Sequence, residues 1–147
     1  MRDPMKEELG LAVATALRAR EASSDFLGLA LDGAGEGWAR CSMVVRADML
    51  NGLETCHGGI IFSLADTAFA WACNSRNVKT FAQHASISFL SPGRLGEELT
   101  AEAREESAQG RTGVYTVRVT GEDGRVVAVF QGLSRTAGGA VLETNND

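Results

Sequence analysis

The sequence predicts an α+β fold in which a curved antiparallel sheet wraps one long buried helix, with a further helix at the N-terminus. Two observations carry this. Residues 57–74 are apolar almost all round a helical wheel (Ile60, Ile61, Phe62, Leu64, Ala65, Ala68, Phe69, Ala70, Trp71, Ala72), and such a helix belongs in an interior. After residue 80 the chain runs as one alternating segment after another, punctuated by glycine turns. At 147 residues, without repeats or linkers, residues 1–147 make a single domain with a sizeable core.

The first helix covers residues 5–22, where Leu9, Val13 and Leu17, with Ala12 and Ala16, form an apolar stripe. Pro4 suits a first helical position, Glu7 and Glu8 suit the positive end, and Ser23-Ser24-Asp25 break the helix. Gly33, Gly35 and Gly37 then turn a hairpin into a half-buried strand over 38–45. Ala39, Cys41, Met43 and Val45 share one of its faces; Arg40, Ser42 and Arg46 lie largely on the other. Beyond the central helix, Phe81, Ala85, Ile87 and Phe89 alternate with His84, Ser86 and Ser88. Leu99, Ala101 and Ala103 alternate with Thr100, Glu102 and Arg104. Tyr115, Val117 and Val119 form another face, and a turn at Gly121–Gly124 leads into Val126–Leu133. Pro92-Gly93, Gly96 and Gly110 mark the other turns, and the tail from about residue 140 reads as flexible.

Composition narrows the function. Fourteen basic against nineteen acidic residues give a net charge of −5, which argues against nucleic acid as a partner. No run approaches the ~18 apolar residues of a membrane span, and the N-terminus has no apolar leader core, which fits a cytoplasmic protein. Three cysteines, Cys41, Cys56 and Cys73, lack CxxC spacing and read as reduced thiols rather than a zinc site. With His57 and His84 the only histidines, no His-rich metal cluster is expected and the site is read as metal-free. The Gly33/Gly35/Gly37 cluster leads into a strand, not a helix, so it is no dinucleotide fingerprint; neither a G-x-S-x-G elbow nor a Walker sequence is present. Cys56 and His57 are sequence neighbours and face each other poorly as a dyad. His84 reads as packed or interfacial, and Phe69 and Trp71 as core.

The informative stretch is Asn51-Gly-Leu-Glu-Thr-Cys-His-Gly-Gly59, directly before the buried helix. Gly58 and Gly59 fall in the first turn, where backbone N–H groups lack intrahelical partners and the dipole supplies about half a positive charge. They are therefore candidate donors to a developing oxyanion. Asp66 follows in mid-helix, on a polar stripe with Ser63, Thr67 and Asn74. A buried carboxylate is costly unless paired or useful. Either it bonds to a neighbouring hydroxyl or a solvent channel, or it is a general base or nucleophile with a raised pKa. His57 is either a cap of the helix or a catalytic base.

Asn51-Gly52, His57-Gly58-Gly59 and Phe62-Ser-Leu-Ala-Asp66-Thr-Ala-Phe-Ala70 resemble the hotdog-fold phenylacetyl-CoA thioesterase family. The likeness continues through Ala72-Cys-Asn-Ser75, Phe89-Leu-Ser-Pro-Gly93, Thr112-Gly-Val-Tyr115 and Arg135, and so spans most of the chain in order. It departs at Ile60, where related sequences often carry a polar residue. The resemblance implies the hotdog fold, with its long helix wrapped by an antiparallel sheet, and a homotetramer built from homodimers. It places a catalytic aspartate at Asp66, the carbonyl-polarising amide at Gly58 in the HGG segment, and at Asn51 an asparagine that orients water or the thioester. Gly59, Ser63, Thr67, Pro92, Gly93, Thr112 and Gly113 fall beside the substrate. Arg94, Arg111 and Arg135 are electrostatic candidates for the CoA phosphates.

The reading is an acyl-CoA thioesterase acting on phenylacetyl-CoA or hydroxyphenylacetyl-CoA in aromatic degradation, with no cofactor beyond the CoA of the substrate. The alternatives are a hotdog dehydratase or hydratase, for which His57 is the only nearby histidine, and a non-catalytic acyl-CoA-binding protein. Gly58 and Asp66 are eight residues apart, so on one helix they stand ~12 Å from each other. A nucleophile must lie within about 3.5 Å of its carbonyl. If both act on one thioester, the site is shared between two subunits.

Overall fold

The computed structural model describes residues 1–143. Helices α1 (Pro4–Arg20) and α2 (Ala22–Leu27) precede the hairpin β1 (Ala30–Gly35) and β2 (Trp38–Val44). A 3₁₀ turn at Ala47–Met49 leads to α3 (Gly58–Cys73), followed by β3 (Thr80–Phe89), β4 (Glu98–Gln109), β5 (Thr112–Thr120) and β6 (Val126–Thr136). The strands form one six-stranded sheet in the order β1-β2-β4-β5-β6-β3, antiparallel throughout.

The sheet packs on α3 through small residues at its centre and aromatic ones at one side. Ala39, Cys41 and Met43 of β2 and Leu99, Ala101 and Ala103 of β4 face inward with Val117 and Val119 of β5. They meet Ile61, Leu64, Ala65, Ala68, Phe69, Trp71 and Ala72, the buried face of α3. Phe69 lies edge-on to Tyr115 and against Phe130, with ring centroids 5.5 and 5.7 Å away. Gly132 makes room for it, since a Cβ there would stand 2.7 Å from the ring. Truncating Phe69 to alanine would cost about 3–5 kcal/mol, part transfer energy and part cavity.

Several expectations need correction. α1 buries Gly10, Val13 and Ala14, while Leu9 is left exposed, so its contact stripe is rotated from the expected one. The reason is a close approach: a Cβ on Gly10 would lie 2.3 Å from the backbone of Gly35, and α1 crosses β1 there. Ser23-Ser24-Asp25 do not break the chain into coil but form α2, and the break falls at Glu21, which is extended. Gly28 at φ 68° ends α2, where Gly28 and Leu29 N–H donate to Asp25 and Ser24 carbonyls. α3 is not buried all round either. Ser63, Asp66, Thr67 and Ala70 form a half-buried outer face, with Ile60, Phe62 and Cys73 half-buried at the margins of the core. β3 is an edge strand on which Phe81 (64%) and Phe89 (52%) are exposed rather than core. At the C-terminus Val141 is buried, and Asn77 Oδ1 accepts from the N–H groups of Val141 and Leu142; residues 144–147 of the expected flexible tail lie outside the described residues.

Candidate active site

The loop before α3 is held by its own polar groups. Asn51 N–H donates to Thr55 O (2.8 Å), and Glu54 N–H donates to Asn51 O (3.1 Å), with Glu54 left-handed at φ 62°. Asn51 Oδ1 accepts from Leu53 N–H (2.9 Å) and Thr55 N–H (3.1 Å). Cys56 N–H donates to Gly93 O and His57 N–H to Met49 O, at 2.9 and 2.8 Å. The start of α3 is thereby fixed against two neighbouring segments.

His57 caps that start. Its Nδ1 accepts from Gly59 N–H (2.9 Å), and its carbonyl accepts from Ile60 and Ile61 N–H (2.9 and 3.2 Å). Gly58 and Gly59 are therefore not equivalent. The Gly59 amide is spent on the cap, while the Gly58 N–H has no acceptor among the described residues. His57 itself is solvent-exposed with Nδ1 engaged, a capping arrangement rather than that of a poised base.

Gly58 opens onto a cleft of about 410 Å³ that it shares with Asn51 and Thr55, and Ile61, Phe89, Leu90 and Pro92 supply an apolar wall. A Cβ on Gly58 would meet the Phe89 ring at 3.0 Å, so the aromatic edge packs against the side-chain face of this glycine. Arg125 props the wall from behind. Its Nε donates to Ser91 Oγ (3.0 Å) and its Nη2 to Pro92 O and Glu97 Oε1 (both 2.9 Å). Gly93 is buried against Leu99 and Cys56, a packing position rather than a lining one. Burial pushes the Cys56 thiol up to about 11, so it is no thiolate nucleophile.

Asp66 does not line this cleft. It is half-buried, and burial, with a smaller push from the Glu21 charge, raises its carboxyl above the usual carboxylate range. It accepts no hydrogen bond among the described residues. The neighbouring hydroxyls are spent within the helix: Ser63 Oγ donates to Gly59 O (2.9 Å) and Thr67 Oγ1 to Ser63 O (2.7 Å). Asn74 also leaves the expected polar stripe, because its amide staples α3 to β3 through Thr80 O (3.0 Å) and Thr80 N–H (2.9 Å).

The remaining candidates are dispersed. Thr112 and Gly113 line a second cleft of about 420 Å³ at the far end of α3, with Cys73, Tyr115 and the Arg76–Glu105 ion pair. Arg111 and Arg135 are exposed, with Arg135 paired in register with Thr112, while Arg94 is exposed in the loop after Pro92. His84 lies exposed on edge strand β3. Thr55, Phe89, Leu90 and the Arg125 prop enter the site only through the fold. Only the tight spacing Asn51-x-x-x-Thr55 could have signalled the first of them.

The sequence matches the thioesterase superfamily over residues 53–128. The chain belongs to that superfamily. It is 42% identical to the acyl-coenzyme A thioesterase PaaI of Escherichia coli over 128 residues, 87% of this chain and 91% of that one. The structure of E. coli PaaI, a protein of the phenylacetic acid degradation operon, superposes with a TM-score of 0.90 at 40% identity, covering 92% of this chain and 98% of that one. A variant of the phenylacetic acid degradation protein PaaI from Thermus thermophilus gives 0.76 at 35% identity, covering 78% and 98%. This thioesterase is thus a thioester hydrolase with the hotdog fold, α3 being the helix its sheet wraps. No helix among the described residues is long and apolar enough to cross a membrane.

Proposed function

We propose that this thioesterase hydrolyses phenylacetyl-CoA or hydroxyphenylacetyl-CoA to the free acid and CoA, as a cytoplasmic step of aromatic-acid degradation. The observation that carries the proposal is the Gly58 amide, without an acceptor among the described residues, at the positive end of α3 in an apolar cleft beside the Phe89 ring. A thioester carbonyl oxygen accepts from that N–H, and the charge that develops on it is stabilised where it forms. The apolar wall suits an aryl group, and the place of the PaaI relatives in phenylacetic acid degradation favours a phenylacetyl one.

Asp66 supplies the second half of the reaction, from a second copy of the chain. Within one protomer it stands ~12 Å from Gly58 along α3, too far to serve a carbonyl held there. The half-buried outer face of α3 and the unpaired edge of β3, with Phe81 and Phe89 exposed, support a two-fold homodimer that lays the two helices side by side. Two such dimers make the homotetramer. Ionised Asp66 either takes a proton from water as it attacks, or attacks the carbonyl itself to form an anhydride that water then opens. In both routes the C–S bond breaks and the CoA sulfur leaves as thiolate and takes up a proton. No cofactor enters, since CoA belongs to the substrate, and Arg94, Arg111 and Arg135 are the cations available for its phosphates. Thiol release across a panel of acyl-CoAs tests the reading. Turnover of the arylacetyl thioesters well above straight-chain ones is expected, and the reverse order or no thiol release refutes it.

A further inference from the structure

The hydrogen bonds of the Asn51 side chain fix its polarity toward the cleft. Its Oδ1 accepts from two backbone N–H groups, Leu53 at 2.9 Å and Thr55 at 3.1 Å, which can only donate. That settles which end of the amide is oxygen and occupies it with backbone donors, while the Thr55 hydroxyl stands 3.3 Å from the same oxygen. On the other end, Nδ2 donates to Thr55 Oγ1 at 3.1 Å. An amide nitrogen carries two hydrogens. The second has no acceptor among the described residues, and both Asn51 and Thr55 line the cleft onto which Gly58 opens. The loop thus presents a donor to the substrate and closes off the acceptor.

We propose that Thr55 is a positioning residue of the hydrolytic site: its hydroxyl anchors one Nδ2 hydrogen of Asn51, so that the other is aimed at the thioester as a second donor beside the Gly58 amide. This rests on the hydrolytic reading of the cleft. Without the Thr55 hydroxyl, the amide keeps its place through Oδ1, but its NH₂ loses the anchor that sets its direction. With the anchor in place, Asn51 acts on the oxygen or sulfur of the substrate as a hydrogen-bond donor, while its Oδ1 is taken up by the loop's own amides.

The test is a mutant cycle on the full-length protein with phenylacetyl-CoA. Thr55→Val keeps the shape and the backbone N–H and removes the hydroxyl. It should lower kcat about tenfold with KM within about twofold, since a donor aimed at developing charge is felt in the transition state. Thr55→Ser should return kcat to within about twofold of the parent. Asn51→Asp, which keeps an oxygen and loses both hydrogens, should be as impaired as Asn51→Ala. The double variant Asn51→Ala/Thr55→Val should be no slower than Asn51→Ala alone. Thr55→Ala carries the same cycle if the valine variant does not fold. The side-chain amide resonances of Asn51, assigned by their loss in Asn51→Ala, should shift in Thr55→Val and return in Thr55→Ser. That readout needs no turnover, so failure of the hydrolytic reading and failure of the Thr55 role are told apart. Unchanged kcat in Thr55→Val, multiplicative losses in the double variant, or an active Asn51→Asp overturns the proposal.

Discussion

The loop that leads into Gly58 is held by its own hydrogen bonds, whereas Asp66, two helical turns further along α3, accepts none among the described residues. The Gly59 amide is capped by His57, the Asn51 oxygen accepts from two backbone amides, and the loop is tied to Met49 and Gly93. What remains toward the cleft is donor chemistry, from Gly58 N–H and Asn51 Nδ2. Asp66 is acceptor chemistry alone, half-buried on the outer face of the helix, with both neighbouring hydroxyls turned back onto helix carbonyls. One region is finished within the protomer and the other is not. On the proposed mechanism the contrast divides order from reactivity: the oxyanion side is preorganised by the fold, and the attacking side is completed by a second subunit.

The largest effect expected is the loss of that attacking side. Asp66→Asn keeps the volume and removes the base, and turnover should fall by about 10² or more, the scale of general-base catalysis. Stopped-flow or steady-state thiol release, with circular dichroism to confirm the fold, measures it. Near-parental turnover in a folded variant would make Asp66 structural and dissolve the contrast.

A smaller change sharpens the contrast by exchanging halves. Gly58→Val puts a branched side chain against the Phe89 ring, where even a Cβ stands 3.0 Å away, and blocks the amide. It should depress kcat more than it raises KM, because the donor acts most on the charge that develops during reaction. Homodimers of Asp66→Ala and of Gly58→Val should each be nearly dead. A purified hybrid of the two has one interface joining intact Gly58 to intact Asp66 and one joining both lesions, so it should recover about half the parental turnover per dimer. Hybrids that assemble and stay inactive would refute a site shared between subunits.

The sequence disclosed most of the first region and the separation of the second, because both are written along single elements. A helix apolar over most of its turns, an HGG start and a lone mid-helix carboxylate are properties of neighbouring residues. So is the ~12 Å spacing of Gly58 and Asp66. What stayed hidden depends on residues far apart in sequence. The Gly10–Gly35 contact turns the face of α1, and the edge position of β3 exposes Phe81 and Phe89, whose alternation says strand but not which strand lies beside it. The division of labour between Gly58 and Gly59 depends on which amide the His57 ring reaches. Arg125, 33 residues beyond the Pro92 carbonyl it holds, belonged to no motif.

The smallest effect expected reads the same comparison through stability. Burial raises the Asp66 carboxyl above its ordinary value, so the folded protein holds that proton more tightly than the unfolded chain does. The sign follows from linkage. Ionisation costs the folded state more than the unfolded one, so stability declines as pH rises from the unfolded carboxyl value of about 3.9 through the raised folded value, and stays lowered above it. Asp66→Asn removes that titration. The variant should therefore melt above the parent near neutral pH, and the gap should close as pH falls below about 4. No comparable gain is expected from changing Asn51, whose bonds stabilise the loop. The acid limb of kcat/KM in the parent should lie above the ordinary carboxylate range for the same reason, since only ionised Asp66 can accept a proton or attack. Thermal denaturation of both proteins across this pH range checks the first point and a pH–rate profile the second. A variant that melts below the parent at pH 7 would mean that the ionised carboxylate has a partner in the assembled protein, and Asp66 would then be as firmly held as Gly58.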